Sequence, residues 1–337
     1  MSVFVFLGPT LARAEAARIL DASFLPPVRA GDVYRLVSRF RASAVGIVDG
    51  YFQWAPPVWH KEILWAIGRG VHVFGAGSMG ALRAAELAPF GMHGVGRVFE
   101  AYREGRLGPD KEPFEDDDEV AVVHGPQELS YVAASEAMVN IRCTLARAAE
   151  EGVIADATHR ALVATAKATF FPERDYARLL AQGRVSGLPE GELAVLECWL
   201  PSGQINQKRL DALAMLEEMR DFLATDPPPA PFDHTFERTI YWDQAAAYWD
   251  RAEAVYAEGD ESAKATLLVA LRLRMAECEH FGEEEVAAWY FAHVARTEVP
   301  ADLAGWARGA GYTDLGEFHR CAFAEYLRRA PDAGGRP

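Results

Sequence analysis

The stretch VHVFGAGSMGALRAAEL, residues 71–87, decides the fold. Val71 to Phe74 is a short apolar run bounded by glycine, which reads as a buried strand. Gly75-Ala-Gly-Ser-Met-Gly80 ends it, and Ala81 to Ala88 has the composition of a helix. A strand turning through glycines straight into a helix is half of a crossover unit, the building block of parallel sheets. The alternation recurs outward from there. Val3–Leu7 stops at Gly8-Pro9-Thr10 before a helical Leu11–Leu20, and Ala44–Val48 ends at Asp49-Gly50. Pro56-Pro57 then precede a helical Val58–Arg69, and Glu119–His124 reads as a fourth strand stopped by Gly125. The expected fold class is α/β: a Rossmann-like, mostly parallel sheet with helices on both faces, followed by a mainly α-helical C-terminal region.

From about Tyr131 helical periodicity dominates, through Ser135–Glu150, Asp156–Ala168, Asp175–Ala181 and Gln207–Ala224. Asp226-Pro-Pro-Pro-Ala-Pro231 is a stiff break. These readings divide the chain into an α/β core over 1–150, a helical extension packed on it over 151–226, and a helical C-terminal domain over 232–337. The last of these is rich in aromatic residues (Tyr241, Trp242, Tyr248, Trp249, Tyr256), and the final residues Asp332–Pro337 are expected to fray.

The 337 residues carry a formal charge of -15, unevenly spread. Residues 1–150 hold 15 Lys+Arg against 18 Asp+Glu, and the remainder holds 19 against 31. Such a surface repels phosphate backbones and anionic lipid, so neither nucleic acid nor membrane is an expected partner. There is no apolar run of the roughly 20 residues a span needs, and MSVFVFLGPT lacks the basic start of a signal peptide. Cys143, Cys198, Cys278 and Cys321 are widely spaced and read as reduced, so a cytoplasmic protein is expected.

Parallel α/β sheets bind ligands at the carboxyl ends of their strands. Thr10, Asp49, Ser78 and His124 each stand at such an end, and the crossover helices begin at the same edge with His60, Lys61, Glu62 and, further on, Arg83. Ser78, set in a tight turn of small residues, approximates a nucleophile elbow, although it would equally serve as an N-cap. Asp49-Gly50 has the chemistry of a turn, or of an acid that orients a base. His60 shares a helix face with Ile63, Leu64 and Ile67, so it is either a core histidine or a base at the crevice edge; His124 is the other candidate base. Gly75, Gly77 and Gly80 also spell G-x-G-x-x-G, but after the third strand rather than the first. Arg83 and Glu86 suit an exposed pair. Asp116-Asp-Asp-Glu119 suits a solvated loop better than a metal site, so neither metal nor cofactor is expected. Cys143 reads as a core residue.

LGPTL near the start, LPPVRAGDVYR (25–35), IVDGYF (47–52), VWHKEILWAIGRGVHVFGAGSMGALRAAEL (58–87), FGMHGVGRVFEAY (90–102), DDDEVAVVHG (116–125) and EAMVNIR (136–142) together resemble the TfuA-like core domain. The resemblance spans roughly residues 3–150; Gly77 departs from it, where the family pattern has alanine. It implies a role in peptide backbone thioamidation beside a YcaO-type cyclodehydratase, or thioamide synthetase. The implied reaction is hydrolysis of the thiocarboxylated C-terminus of a ThiS-like sulfur carrier, which frees bisulfide. Cleaving such an acyl carbon needs a nucleophile, an acid/base and an oxyanion site. The expected assignment is Ser78 or a water beside it as nucleophile, His60 or His124 as base and Asp49 orienting it. Lys61, Glu62, Arg83, Thr10 and the Gly75, Gly77 and Gly80 turn would hold the substrate. Two alternatives remain: a non-catalytic adaptor docking carrier and YcaO, and a nucleotide-binding Rossmann-type enzyme. The sequence leaves homo-oligomerisation open.

Overall fold

The computed structural model describes residues 2–52, 55–108, 112–125, 131–251, 291 and 298–310. Its centre is a five-stranded sheet of β1 (Ser2–Phe6), β2 (Ser23–Leu25), β3 (Ala42–Ile47), β4 (His72–Ala76) and β5 (His93–Val95). All neighbours pair in parallel, in the order β2-β1-β3-β4-β5. Between the strands run α1 (Arg13–Ala16), α2 (Asp32–Arg39), α3 (His60–Ile67) and α4 (Met79–Leu87). After β5 come α5 (Arg97–Glu104) and the short antiparallel pair β6 (Arg106–Leu107) and β7 (Glu112–Pro113). The α/β class is as the strand–helix alternation implies. The two strands it missed, β2 and β5, are three residues each, too short to display a period.

Side-chain alternation explains both faces. Val45, Ile47 and Val73 point into one core with Val33 and Leu36 of α2, Ile63 and Ile67 of α3, and Ala81 and Ala84 of α4. Val5, Leu7, Ala44, Phe74 and Ala76 point into the other, which Ala212, Met215, Leu216 and Met219 of α10 (Gln207–Leu223) close. Strands buried on both sides read as continuous apolar runs, which is why three of them stood out in the sequence.

The fourth expected strand is absent. Asp117–Glu119 is a single 3-10 turn, residues 120–123 are irregular, and His124 makes only an isolated antiparallel bridge to Ala133. The run is apolar because it is buried, but side chains satisfy it in place of a ladder. Arg142 donates to both oxygens of Glu119 at 3.0 and 2.9 Å, and Lys208 donates to the carbonyl of Val120 at 2.7 Å.

The helices α6 (Met138–Glu150), α7 (Asp156–Ala168), α8 (Tyr176–Val185) and α9 (Glu190–Gly203) share a third core around Met138, Ile141, Leu145, Leu162 and Leu196. The acidic run is solvated at Asp116 and Asp117, whereas Asp118 is half-buried and Glu119 buried. Lys167 lies 3.0 Å from Asp116, 2.5 Å from Asp118 and 2.9 Å from Glu119, while Arg174 pairs with Asp118 and caps carbonyls at the end of α7. Burial opposes ionisation of Asp118, but the hydrogen bonds from Lys167 and Arg174 outweigh it and hold the carboxyl below its ordinary range.

Two compact units emerge among the described residues: 2–123 with 135–251, and 124–125, 131–134, 291 and 298–310. The first unit runs through the proline-rich segment, where His72 bonds the carbonyl of Pro228 at 2.8 Å, into α11 (Ile240–Arg251). Trp242 and Trp249 of α11 bury against Trp65. The second unit contains α12 (Leu303–Gly309) and the packed rings of Phe291 and Trp306. Tyr256, Cys278, Cys321 and Asp332–Pro337 lie outside the described residues, as does most of the C-terminal half of the expected 232–337 domain.

Candidate functional site

The turn between β4 and α4 brings backbone into close contact with backbone. Gly77 takes φ +68 and Ser78 follows at φ -133, ψ -126. The left-handed conformation therefore falls on the glycine, where it is free of Cβ strain. Ser78 is 2% exposed and is the N-cap residue of α4, but its hydroxyl makes no capping hydrogen bond. The bland reading as an N-cap thus does not account for it.

The glycines act through close approach. A Cβ on Gly80 would lie 1.7 Å from the carbonyl oxygen of Ile47, and one on Gly75 would lie 2.1 Å from that of Gly80. At Gly77 it would meet the Lys208 carbonyl oxygen at 2.7 Å. These contacts lock α4 onto the ends of β3 and β4 and seat the start of α10 on the turn. The space that a dinucleotide phosphate or a substrate group would take beside Gly75 and Gly80 is filled by backbone, so the G-x-G-x-x-G spelling is a packing device.

Asp49 is 2% exposed at the end of β3. Its carboxylate accepts from the Gly8 amide at 2.8 Å, the Thr10 amide at 3.1 Å and the Thr10 hydroxyl at 2.6 Å. Both of its oxygens are committed to the turn after β1, so Asp49 staples that turn and orients no histidine, and the Thr10 hydroxyl points to Asp49. Glu62 is fully buried, accepting from the amides of Trp59 and Tyr34 at 3.1 and 3.3 Å. Burial raises its carboxyl to about 7, against the hydrogen bonds from Gly31, Trp59 and Tyr34. It ties α2 to α3 and does not face a substrate.

His60 and Arg83 do meet, but around Glu86: Glu86 sits 2.7 Å from the His60 ring and 2.8 Å from Arg83, with His60 and Glu86 both exposed. Burial would raise the Glu86 carboxyl, but hydrogen bonds from His60 and Arg83 hold it below its usual range. Arg83 also donates to the Val58 carbonyl at 3.1 Å. Lys61 leans over Phe236 and reaches the Thr239 hydroxyl at 3.4 Å. His124 belongs to the second unit, with its Nδ1 2.8 Å from the Gly125 carbonyl oxygen and its ring edge-on to Tyr131. The His60 ring is taken up by Glu86 rather than by Ser78 or Asp49. Cys143 is buried, and its thiol is pushed up to about 11, chiefly by desolvation, which removes it as a nucleophile at neutral pH.

The group that does stand at the turn is Lys208, in the first turn of α10 and only 3% exposed. Its ammonium donates to Val120, its backbone amide donates to Asn140 at 3.3 Å, and its carbonyl lies against Gly77. Desolvation pushes its pKa below that of an ordinary lysine, while the charges of Asp49 and Glu136 oppose the shift. Glu136 accepts from the Asn140 amide group at 2.8 Å, and burial raises its carboxyl. Lys208, Glu136 and Asn140 were absent from the expected site. One signal was available: the chain has five lysines, Lys208 among them, against 29 arginines, and burial at the start of α10 is a costly place for one.

The TfuA-like protein family model matches residues 49–175. No curated protein matches the chain. The matched stretch holds Asp49, the Gly77–Ser78 turn, Glu136 and Asn140, and it stops before the helix that brings Lys208. Over that stretch the chain is similar to the TfuA-like proteins, as the motifs read from the sequence imply.

Proposed function

We propose that the protein hydrolyses the thiocarboxylated C-terminus of a ThiS-like sulfur carrier, releasing bisulfide for peptide backbone thioamidation by a YcaO-type partner. The match of residues 49–175 to the TfuA-like protein family is consistent with involvement in thioamidation. The observation that carries the reaction is that Lys208 packs its backbone on the Gly77–Ser78 turn, with its amine buried and under the charge of Asp49 at the end of the neighbouring strand. A lysine whose pKa is lowered by desolvation can take a proton from a neighbouring serine, the Ser–Lys variant of the triad arrangement.

In this reading the Ser78 hydroxyl attacks the thiocarboxylate carbon and Lys208 receives its proton. The tetrahedral intermediate collapses with loss of sulfur, which departs as HS⁻ carrying the proton from Lys208. Water then attacks the acyl-serine, again with Lys208 as base, giving the carrier carboxylate and free Ser78. Gly80 and Ala81 give their amides to the carbonyls of Val48 and Ser78, so the Met79 amide, next to the serine, is the one that would hold the oxyanion. His60 takes no part.

The test is bisulfide release from thiocarboxylated carrier without YcaO. Wild type is expected to turn over many times. Ser78→Ala and Lys208→Met are expected to lose about 10²-fold or more, the scale of an acid–base group, while His60→Gln stays within a few-fold. Folded Lys208→Met with full activity would remove the lysine from the mechanism. A stoichiometric requirement in place of turnover would instead make the protein an adaptor.

A further inference from the structure

A second concavity lies between α2, α3 and the segment 232–246, with a volume of about 640 Å³. That is the size of a pocket for a small organic ligand. Its walls are rings: Tyr34, Trp65, Phe232, Phe236 and Trp242. Tyr34 and Trp65 lie with centroids 4.8 Å apart, and Phe236 meets Trp242 edge-on at 5.1 Å. The only formally charged side chains lining it are Arg69 and Arg238, with His234 beside them and no carboxylate.

In a chain with 49 acids against 34 bases, a pocket without an acid is a marked departure. The two arginines differ. Arg238 is bound by Asp243 at 2.6 and 2.9 Å and is already compensated. Arg69 stacks on the Trp65 ring at 3.9 Å and forms no ion pair with a carboxylate among the described residues. A guanidinium placed over an indole face can turn its N–H edge to a planar anion. A single uncompensated guanidinium among rings matches the one charge and planar shape of a carboxylate, which is the fitting head group.

We infer that this pocket binds an aromatic carboxylate, its ring among Tyr34, Trp65, Phe236 and Trp242 and its carboxylate on Arg69. The carboxylate could be that of a free small acid or of a peptide ending in an aromatic residue. The site is separate from the Ser78 turn and does not depend on the hydrolase reading.

Calorimetric titration of the full chain tests it with indole-3-acetate, its neutral counterpart indole-3-acetamide, and a hexapeptide ending in tryptophan as free acid or as amide. The acid is expected to bind at least tenfold more tightly than the acetamide. Arg69→Gln should abolish that preference while leaving acetamide binding and bisulfide release unchanged. Phe236→Ala should weaken acid and acetamide together. Tighter binding of the free-acid peptide than of indole-3-acetate identifies a peptide terminus as the source, and the reverse identifies a small molecule. Equal affinity for acid and acetamide, an unaffected Arg69→Gln, or no binding at millimolar probe overturns the inference.

Discussion

Glu62 shows how a single buried group sets a pH dependence. Its carboxyl is raised from 4.5 to about 7 by burial, so the folded state holds the proton more tightly than the unfolded chain. The stability this contributes is whole below pH 4.5 and is lost as pH rises through 7. At about 1.4 kcal/mol for each pKa unit, it amounts to about 3 kcal/mol. Urea unfolding at pH 5 and pH 8 should show wild type losing that much more than Glu62→Gln over the interval. Parallel losses in the two proteins would place the pH dependence elsewhere. The same residue marks what sequence could and could not supply. Its position in the first turn of α3 was legible, but its burial comes from α2, whose Tyr34 amide bonds to it. Asp49 and Ser78 were found because strand ends are local features. Lys208 was not, because the helix that carries it lies far along the chain and only the folded sheet brings it to the turn.

At the scale of elements, the β4–α4 junction depends on three residues without side chains, Gly75, Gly77 and Gly80. Gly80→Ala would drive a Cβ to 1.7 Å from the Ile47 carbonyl oxygen, backbone that cannot step aside. Its cost should exceed the 1–3 kcal/mol typical of overpacking, measured as a drop in urea midpoint or as failure to fold. Gly191, exposed near the start of α9 with nothing within 4 Å of its would-be Cβ, is the contrasting case. Gly191→Ala should gain about 0.5 kcal/mol through helix propensity and a less flexible unfolded chain. Similar effects at both positions would contradict this close-approach account. The element misread from sequence teaches the same lesson. Residues 119–123 have a strand's composition, but Arg142 and Lys208 take up the acid and the carbonyl that open the run.

At the scale of the molecule, the family match and the folded unit do not coincide. The match ends at residue 175, whereas one face of the sheet is closed by α10, whose Ala212, Met215, Leu216 and Met219 are fully buried on it. A fragment of residues 1–175 would leave Val5, Leu7, Phe74 and Ala76 facing water, an apolar patch of the kind that drives association. That fragment should aggregate or bind an apolar dye, and residues 176–251 supplied in trans should restore solubility; a monomeric, dye-silent fragment would contradict the packing. The sequence was legible where burial is two-sided and local, and it was silent on which distant helix does the covering. The position of α10 also sets an order in time. A ribosome delivers all five strands long before Gln207 emerges, so the nascent sheet waits with one face bare while α6 to α9 are made. Slowing translation between Ala76 and Leu223 lengthens that exposure, and speeding it shortens the interval in which a chaperone must shield the sheet.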